Sequence, residues 1–303
     1  MTADPYSLRF QFHIASLIEI IMKSEFWVKF TSKALNCDVI SNLVLRGTVG
    51  QIMWLLSKFR DLSPNDESTI TALRDEYINF VYETIYQEMH LIATTYLKSR
   101  PARTLEIGAG SLSKAERYFN NIQLSDGSAV SRFGKENQLI AENLPFENMV
   151  FDVVIAKDTL HHFSNTDKAL SEISRVLKPG GIFIVSEPYW SLLGRFVFKF
   201  IHPEKWETNP IELKNSSANP FDANQATLLC LQSRKFNDMV VKNFLTLEVS
   251  RPTYGISYLL SGGLNWRNKI PFSLLRRVDR IERYLGTFKH LTGLNVLATF
   301  KKV

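Results

Sequence analysis

The sequence predicts an α/β fold built on a mostly parallel sheet, and three observations carry that prediction. Between residues 101 and 188, short β-prone runs alternate with helical stretches. Two of the runs, FDVVIA (151–156) and IFIVSE (182–187), are apolar through most of their length, as strands covered on both faces are. A glycine-bearing turn, GAG at 108–110, follows the first run, at the place where an open α/β sheet receives its ligand.

The elements follow in chain order. Residues 1–100 read as a helical N-terminal cap. In its last helix Leu73, Tyr77, Phe80, Val81, Ile85, Met89 and Ile92 recur in steps of three and four, and Pro101 stops the run. Ahead of it, ISNLVLRGTVGQIMWLLSKF (40–59) predicts another helix, interrupted by Gly47 and Gly50. RTLEI (103–107) is a strand, SKAERYFN (113–120) a short helix and NIQLS (121–125) a second strand ending at Asp126. After the buried strand 151–156, TDKALSEISRVLK sets Ala169, Leu170, Ile173, Val176 and Leu177 on one helical face, and Pro179, Gly180 and Gly181 end it. Beyond 188, WSLLGRFVFKFI (190–201) predicts a helix, NSSANPFDANQ a loop, and LTLEVSR (245–251) a strand. PFSLLRRVDRIERYLG predicts a helix with Leu274, Val278, Ile281 and Leu285 in line and Gly286 as its stop. LNVLATFKK (294–302) is a closing strand. Residues 101–303 then form one domain, with a ligand-binding core at 101–188 and substrate-side additions at 189–303.

Composition narrows the partners. The 303 residues, 45% hydrophobic, suffice for one large domain with additions or two modest ones. The net charge of +6 is spread along the chain without a basic run, which argues against nucleic acid. It leaves room for an acidic substrate or a membrane surface. The helices at 190–201 and 274–285 each pair an apolar face with basic residues, so they fit either peripheral membrane contact or ordinary packing. Cys37 and Cys230 provide neither a disulfide framework nor metal spacing, and a reducing, cytoplasmic setting is expected. No metal site is expected.

The turn at 108–110 is informative about the ligand. Gly108 and Gly110 remove Cβ atoms where a ligand must touch main chain. A dinucleotide turn would carry a third glycine where Ser113 stands. Glu106, just ahead of the glycines, would repel a pyrophosphate and suits a cationic ligand such as an α-ammonium group. Asp126, at the tip of the second strand, can accept from both hydroxyls of a ribose; before Gly127 it equally makes a turn.

The segments AENLPFENMVFDVVIAKDTLHHF and ALSEISRVLKPGGIFIVSEP, in this order after the glycine turn, resemble the class I S-adenosylmethionine-dependent methyltransferases. The likeness is to the branch with Leu-His-His after the fourth strand, methyltransferase type 11-like, and covers about residues 101–188. It implies a Rossmann-like seven-stranded sheet, order 3-2-1-4-5-7-6 with one antiparallel strand, and S-adenosyl-L-methionine as cofactor. By position in the motifs, Glu106, Gly108, Ala109 and Gly110 would surround the methionine part of the cofactor, and Asp126 would hold the ribose. Ala141 and Glu142 would line the adenine, with Ile140 where an acid often stands, and Lys157 would meet the cofactor through its backbone.

The resemblance specifies the cofactor and leaves the acceptor to the flanking zones. A hydroxyl acceptor is helped by a general base, and Asp158, His161 and His162 follow the fourth strand. The histidine pair equally suits structural packing. Glu187 shares their rim, as substrate contact or as cap, and His202 and Glu204 could edge the pocket. The expected function is methyl transfer to a small-molecule, saccharide or lipid-linked acceptor. The rivals are a catalytically inactive binding or regulatory protein of this fold, a nucleotide-binding oxidoreductase, and an RNA methyltransferase.

Overall fold

The computed structural model describes residues 75–98, 103–125, 139–200, 233–263, 270–284 and 286–303. The expected helix at 40–59, the loop at 215–225, and Asp126, His202 and Glu204 lie outside the described residues.

Helix α1 (Glu76–Leu97) begins where Asp75 caps it, the carboxylate accepting from the amides of Tyr77 and Ile78. It is followed by β1 (Thr104–Ile107), α2 (Ala115–Tyr118), β2 (Ile122–Ser125) and β3 (Phe151–Lys157). A 3-10 turn (Leu160–His162), α3 (Thr166–Val176), β4 (Leu177–Pro188) and α4 (Leu192–Phe200) come next. The last third holds α5 (Arg234–Lys242), β5 (Leu245–Pro252), α6 (Ile256–Ser261), α7 (Phe272–Tyr284), a 3-10 turn (Gly286–Phe288), α8 (Lys289–Thr292) and β6 (Asn295–Lys302).

The described strands form one six-stranded sheet in the order β2-β1-β3-β4-β6-β5. β2, β1, β3 and β4 are mutually parallel, and β6 runs antiparallel to both β4 and β5. This corrects the expected strand count from seven to six among the described residues. The missing third strand would fall between Ser125 and Phe151, where 126–138 are not described and 139–150 contain no strand.

Alternation along the strands divides the core. Leu105, Val154, Phe183, Val185, Ala298 and Phe300 point to one face, beneath Leu170 and Ile173 of α3 and Phe236 of α5. Val153, Ile155, Ile182, Ile184 and Leu297 point to the other, beneath Tyr77, Val81, Ile85 and Met89 of α1. Both faces are covered, which is why β3 and β4 are apolar rather than alternating. The expected break after α3 is tighter than a loop. Leu177 pairs with Phe151, the next partners are Ile182 and Val153, and Lys178–Gly181 bulge between them.

Helix α7 is turned differently from its apolar periodicity. Its buried face is Leu275, Asp279 and Glu282, whereas Ile281 is 60% exposed. The carboxylates face inward because they have partners there. Glu282 accepts from the amides of Ile256 (2.6 Å) and Ser257 (2.8 Å), and Asp279 pairs with Arg283 at 3.0 Å. A buried polar group so satisfied outweighs a modest apolar stripe. Glu282→Ala should therefore lower unfolding stability by about 2 kcal/mol, by stranding two amides. Ile281→Ala should stay within about 0.5 kcal/mol of the parent, as an exposed position does. Denaturant unfolding of both variants checks the orientation, and a large loss at Ile281 with none at Glu282 would reverse it.

Candidate cofactor and acceptor site

The C-terminal ends of β1, β2, β3, β4 and β5 share one rim with the start of β6. At the tip of β1, Gly108 has φ +71°, and a Cβ there would lie 2.2 Å from the side chain of Thr159. Gly108 is thus required by the contact between the β1 and β3 turns. Gly110 differs: a Cβ there would meet no protein atom within 4 Å. The space above Gly110 is open, as a cradle for a ligand against bare main chain must be. Ala109 between them is buried, and its amide donates to the carbonyl of Ser125 at 2.8 Å. The turn is thereby tied to the tip of β2, which Asp126 directly follows.

Glu106 is 1% exposed and lies beneath the turn. Its Oε1 accepts from the Tyr86 hydroxyl at 2.5 Å and its Oε2 from the Ser113 hydroxyl at 2.7 Å. Burial, and then the Glu106 charge, push the Tyr86 phenol well above its usual pKa, so it stays a donor. Glu106 therefore anchors α1 and the glycine turn to each other and lends negative potential to the turn from below.

Asp158, one residue past β3, has φ +49°, a conformation that aspartate tolerates better than most residues. Its amide donates to the Ser186 carbonyl at 2.8 Å. Its Oδ1 accepts from Asn295 Nδ2 at 2.9 Å, and its Oδ2 pairs with the Lys157 ammonium. The Asn295 amide is oriented by accepting from Ser186 at 2.6 Å. Three strands thus hold one carboxylate, and its side chain remains 32% exposed at the rim. The Lys157 ammonium lies 3.9 Å from the centre of the Tyr82 ring, a cation–π contact. Tyr254 and Tyr258 pack on each other at a tilt of 36°, with ring centres 4.5 Å apart. Burial and then the Asp158 charge raise the phenols of Tyr82 and Tyr254 well above the usual range.

His161 is 3% exposed, and its Nδ1 lies 2.5 Å from Glu187 Oε2. The other oxygen of Glu187 accepts from the amides of Thr159 (3.0 Å) and Leu160 (2.8 Å). Glu187 is accordingly a cap of the 3-10 turn. His162 packs on His161 with ring centres 4.0 Å apart and is less deeply buried. Ala141 is buried in the core, and Ile140 is 64% exposed. Glu142 accepts from Ser164 Oγ (2.8 Å) and the Asn165 amide (2.9 Å), so Oε1 braces the entry to α3. Among the described residues no His, Cys, Asp and Glu are grouped to hold a metal ion, and no helix is long and apolar enough to cross a membrane.

The rim brings together the glycine turn, Lys157 and Asp158, and sets the His161–Glu187 pair beneath them. Tyr82, Tyr254, Tyr258 and Asn295 were not legible as site residues. Tyr82 and Tyr86 fall outside the apolar positions picked out in their helix, and nothing marks Asn295 at the opening of a strand.

Comparison with known proteins follows the same lines. Residues 105–185 match the family described as a methyltransferase domain. The uncharacterized methyltransferase YcgJ of Bacillus subtilis is 33% identical over 103 residues, 29% of this chain and 41% of that protein. A demethylmenaquinone methyltransferase of Staphylococcus haemolyticus is 32% identical over 105 residues, 33% of this chain and 37% of that protein. A sterol 4-C-methyltransferase of Caenorhabditis elegans is 52% identical over 44 residues, 14% of this chain and 13% of that protein. The chain thus spans less than half the length of these curated relatives. The crystal structure of YcgJ covers 71% of this chain and 98% of its own, with 20% identity and a TM-score of 0.41. The glycine turn, Lys157 and Asp158 lie within the segment 105–185 that is similar to the methyltransferase domain family, and that similarity implies S-adenosyl-L-methionine as the cofactor.

Proposed function

We propose that the chain transfers a methyl group from S-adenosyl-L-methionine to a small-molecule, saccharide or lipid-linked acceptor. The observation that carries this reading is the open main chain at Gly110, next to a turn that Thr159 packs against, one residue from the partly exposed carboxylate of Asp158. The cofactor supplies an electrophilic methyl group on a sulfonium. Gly108, Ala109 and Gly110 hold its amino-acid part, and Asp126 holds its ribose. The backbone at Lys157, Ala141 and Glu142 borders the rest of the cofactor. Asp158 orients the acceptor and takes its proton where the acceptor is a hydroxyl, a role for which its fixed position is suited. His161, buried against Glu187, positions the turn, and His162 stands as the second candidate base.

The relatives named for demethylmenaquinone and for sterol support a small, apolar acceptor. So does the exposed surface of α7 and the segment after it. Ile281 and Tyr284 of α7 and Phe288 and Leu291 just after it are exposed, as are Arg277 and Arg280, a mixture that suits a lipid-linked acceptor at an anionic bilayer. The tyrosines at 82, 254 and 258 support a flat, apolar acceptor group beside Asp158.

Gly110→Val and Asp126→Ala should each weaken binding of the product S-adenosylhomocysteine by about tenfold or more, equivalent to about 1.4 kcal/mol. Their unfolding midpoints should stay close to the parent's, since Gly110 has open space above it. Gly108 is a poorer probe, because a side chain there strikes Thr159. Undiminished calorimetric affinity in both variants would remove the cofactor assignment. With a methyl-labelled cofactor and an acceptor panel, Asp158→Asn should lower kcat about 100-fold while S-adenosylhomocysteine affinity is retained. Wild-type turnover in Asp158→Asn would overturn its role, and absence of turnover on every acceptor would favour a binding or regulatory protein.

A further inference from the structure

The two sides of α7 sort its charges. Asp279 and Glu282, the only acids between Phe272 and Leu291, are both buried. Asp279 pairs there with Arg283 at 3.0 Å and with Arg276 at 3.8 Å, and Glu282 takes the amides of α6. The opposite side holds Arg277, Arg280, Ile281 and Tyr284, spaced as i, i+3, i+4 and i+7 on one helical face, and all four are exposed. Arg276 lies over the Phe80 ring at 3.6 Å and Arg283 reaches Glu88 at 3.7 Å, whereas Arg277 and Arg280 have no ion pair among the described residues. Tyr284 is 85% exposed, an extreme value for a large ring. The 3-10 turn touches both α7 and α8, and Phe288 and Leu291 extend the exposed apolar surface along them. The outer face is therefore apolar and purely cationic.

That combination selects among occupants. A second copy of the chain would bring the same arginines against each other, because a two-fold contact repeats one patch on both sides, and the face offers no acid to answer them. An anionic bilayer answers both halves of the surface at once. Its phosphates take the guanidinium groups, and its headgroup boundary takes the apolar side chains, tyrosine included. Arginine reaches phosphate while its stem lies along apolar surface.

We propose that the outer face of α7 and α8 docks on an anionic lipid bilayer, with Arg277 and Arg280 at the phosphates and Ile281, Tyr284, Phe288 and Leu291 in the interface. The contact itself stands apart from methyl transfer, while its use rests on the proposed lipid-linked acceptor. Helix α8 runs through Gly293 and Leu294 into Asn295, which grips Asp158 at 2.9 Å. The Leu294 amide donates to the Tyr254 carbonyl at 2.8 Å, and its carbonyl accepts from the Tyr189 amide at 2.9 Å. A short, hydrogen-bonded stretch of backbone thus joins the docking face to the acceptor side of the rim.

The test is sedimentation of the full chain with vesicles of phosphatidylcholine alone and with vesicles of equimolar phosphatidylcholine and phosphatidylglycerol. Binding to the anionic vesicles that salt weakens, with little on the neutral ones, supports the proposal. Arg277→Ala with Arg280→Ala should weaken it about tenfold or more, and Ile281→Ser with Tyr284→Ser should do the same. Arg234→Ala with Lys301→Ala removes the same charge from exposed positions of α5 and β6 and should cost far less. Each variant should keep the parental unfolding midpoint and affinity for S-adenosylhomocysteine, which tells a failure of docking apart from a failure of the cofactor assignment. Absence of binding to anionic vesicles, equal losses from the two charge-removing pairs, or unaltered binding after Ile281→Ser with Tyr284→Ser would overturn the proposal. So would a dimer in sedimentation equilibrium that Ile281→Ser with Tyr284→Ser dissolves, since it assigns the face to a second copy.

Discussion

Everything at the rim depends on how closely the β1 turn approaches the β3 turn. Gly108 and Thr159 occupy a space in which no Cβ fits, and Gly108 adopts a left-handed φ to make the approach possible. That contact fixes the height of the glycine turn relative to Asp158. It also leaves Gly110, two residues on, facing open space rather than packed atoms. One glycine is therefore required by packing and the other faces open space, although in sequence they look equivalent. The same turn is held from below by Glu106 and from the side by the Ser125 carbonyl, so it is rigid before any ligand arrives.

Buried carboxylates do most of the fastening in this domain. Glu106 joins α1 to the β1 turn, Glu187 caps the turn after β3, Glu142 braces the entry to α3, and Glu282 caps α6. Each has amide or hydroxyl donors in reach, the condition under which burial of a charge is tolerable. Such brackets are directional, whereas apolar packing is not. They therefore suit the loops at the rim, whose backbone must sit in one conformation without a sheet to hold it. Glu172 and Arg175 do the same for the loop before β3. Glu172 accepts from the Leu144 amide at 2.8 Å, and Arg175 donates to the carbonyls of Leu144 (2.9 Å) and Phe146 (2.7 Å).

This also explains what could be read from the residues alone. Strands β3 and β4 and the helix Thr166–Val176 were legible because their apolar patterns coincide with the faces they bury. The glycine turn was legible because only backbone demands select that spacing. Helix α7 was located by its apolar alignment, but that alignment does not mark its buried face, since periodicity has no access to the amides that Glu282 meets on α6. The tyrosines were missed for a related reason. Tyr82 and Tyr86 fall on the buried side of α1 as any apolar residue would, and their polar ends matter only through Lys157 and Glu106, which belong to distant strands.

The contrast between Asp158 and His161 sharpens the division of labour at the rim. Both follow β3, and both have a partner contributed by another strand. For His161 the partner is Glu187, and both side chains are nearly inaccessible, so the pair can hold a tautomer and a turn but cannot reach a ligand without moving. For Asp158 the partners are Lys157 and Asn295, which engage one oxygen each and leave a third of the side chain open. An oxygen with one lone pair engaged and another free is oriented and still able to accept. Ser186 aligns Asn295, Asn295 aligns Asp158, and the backbone of Ser186 receives the Asp158 amide. The left-handed conformation at Asp158 is thus fixed by neighbours on two strands, which over-determine a backbone that non-glycine residues seldom adopt.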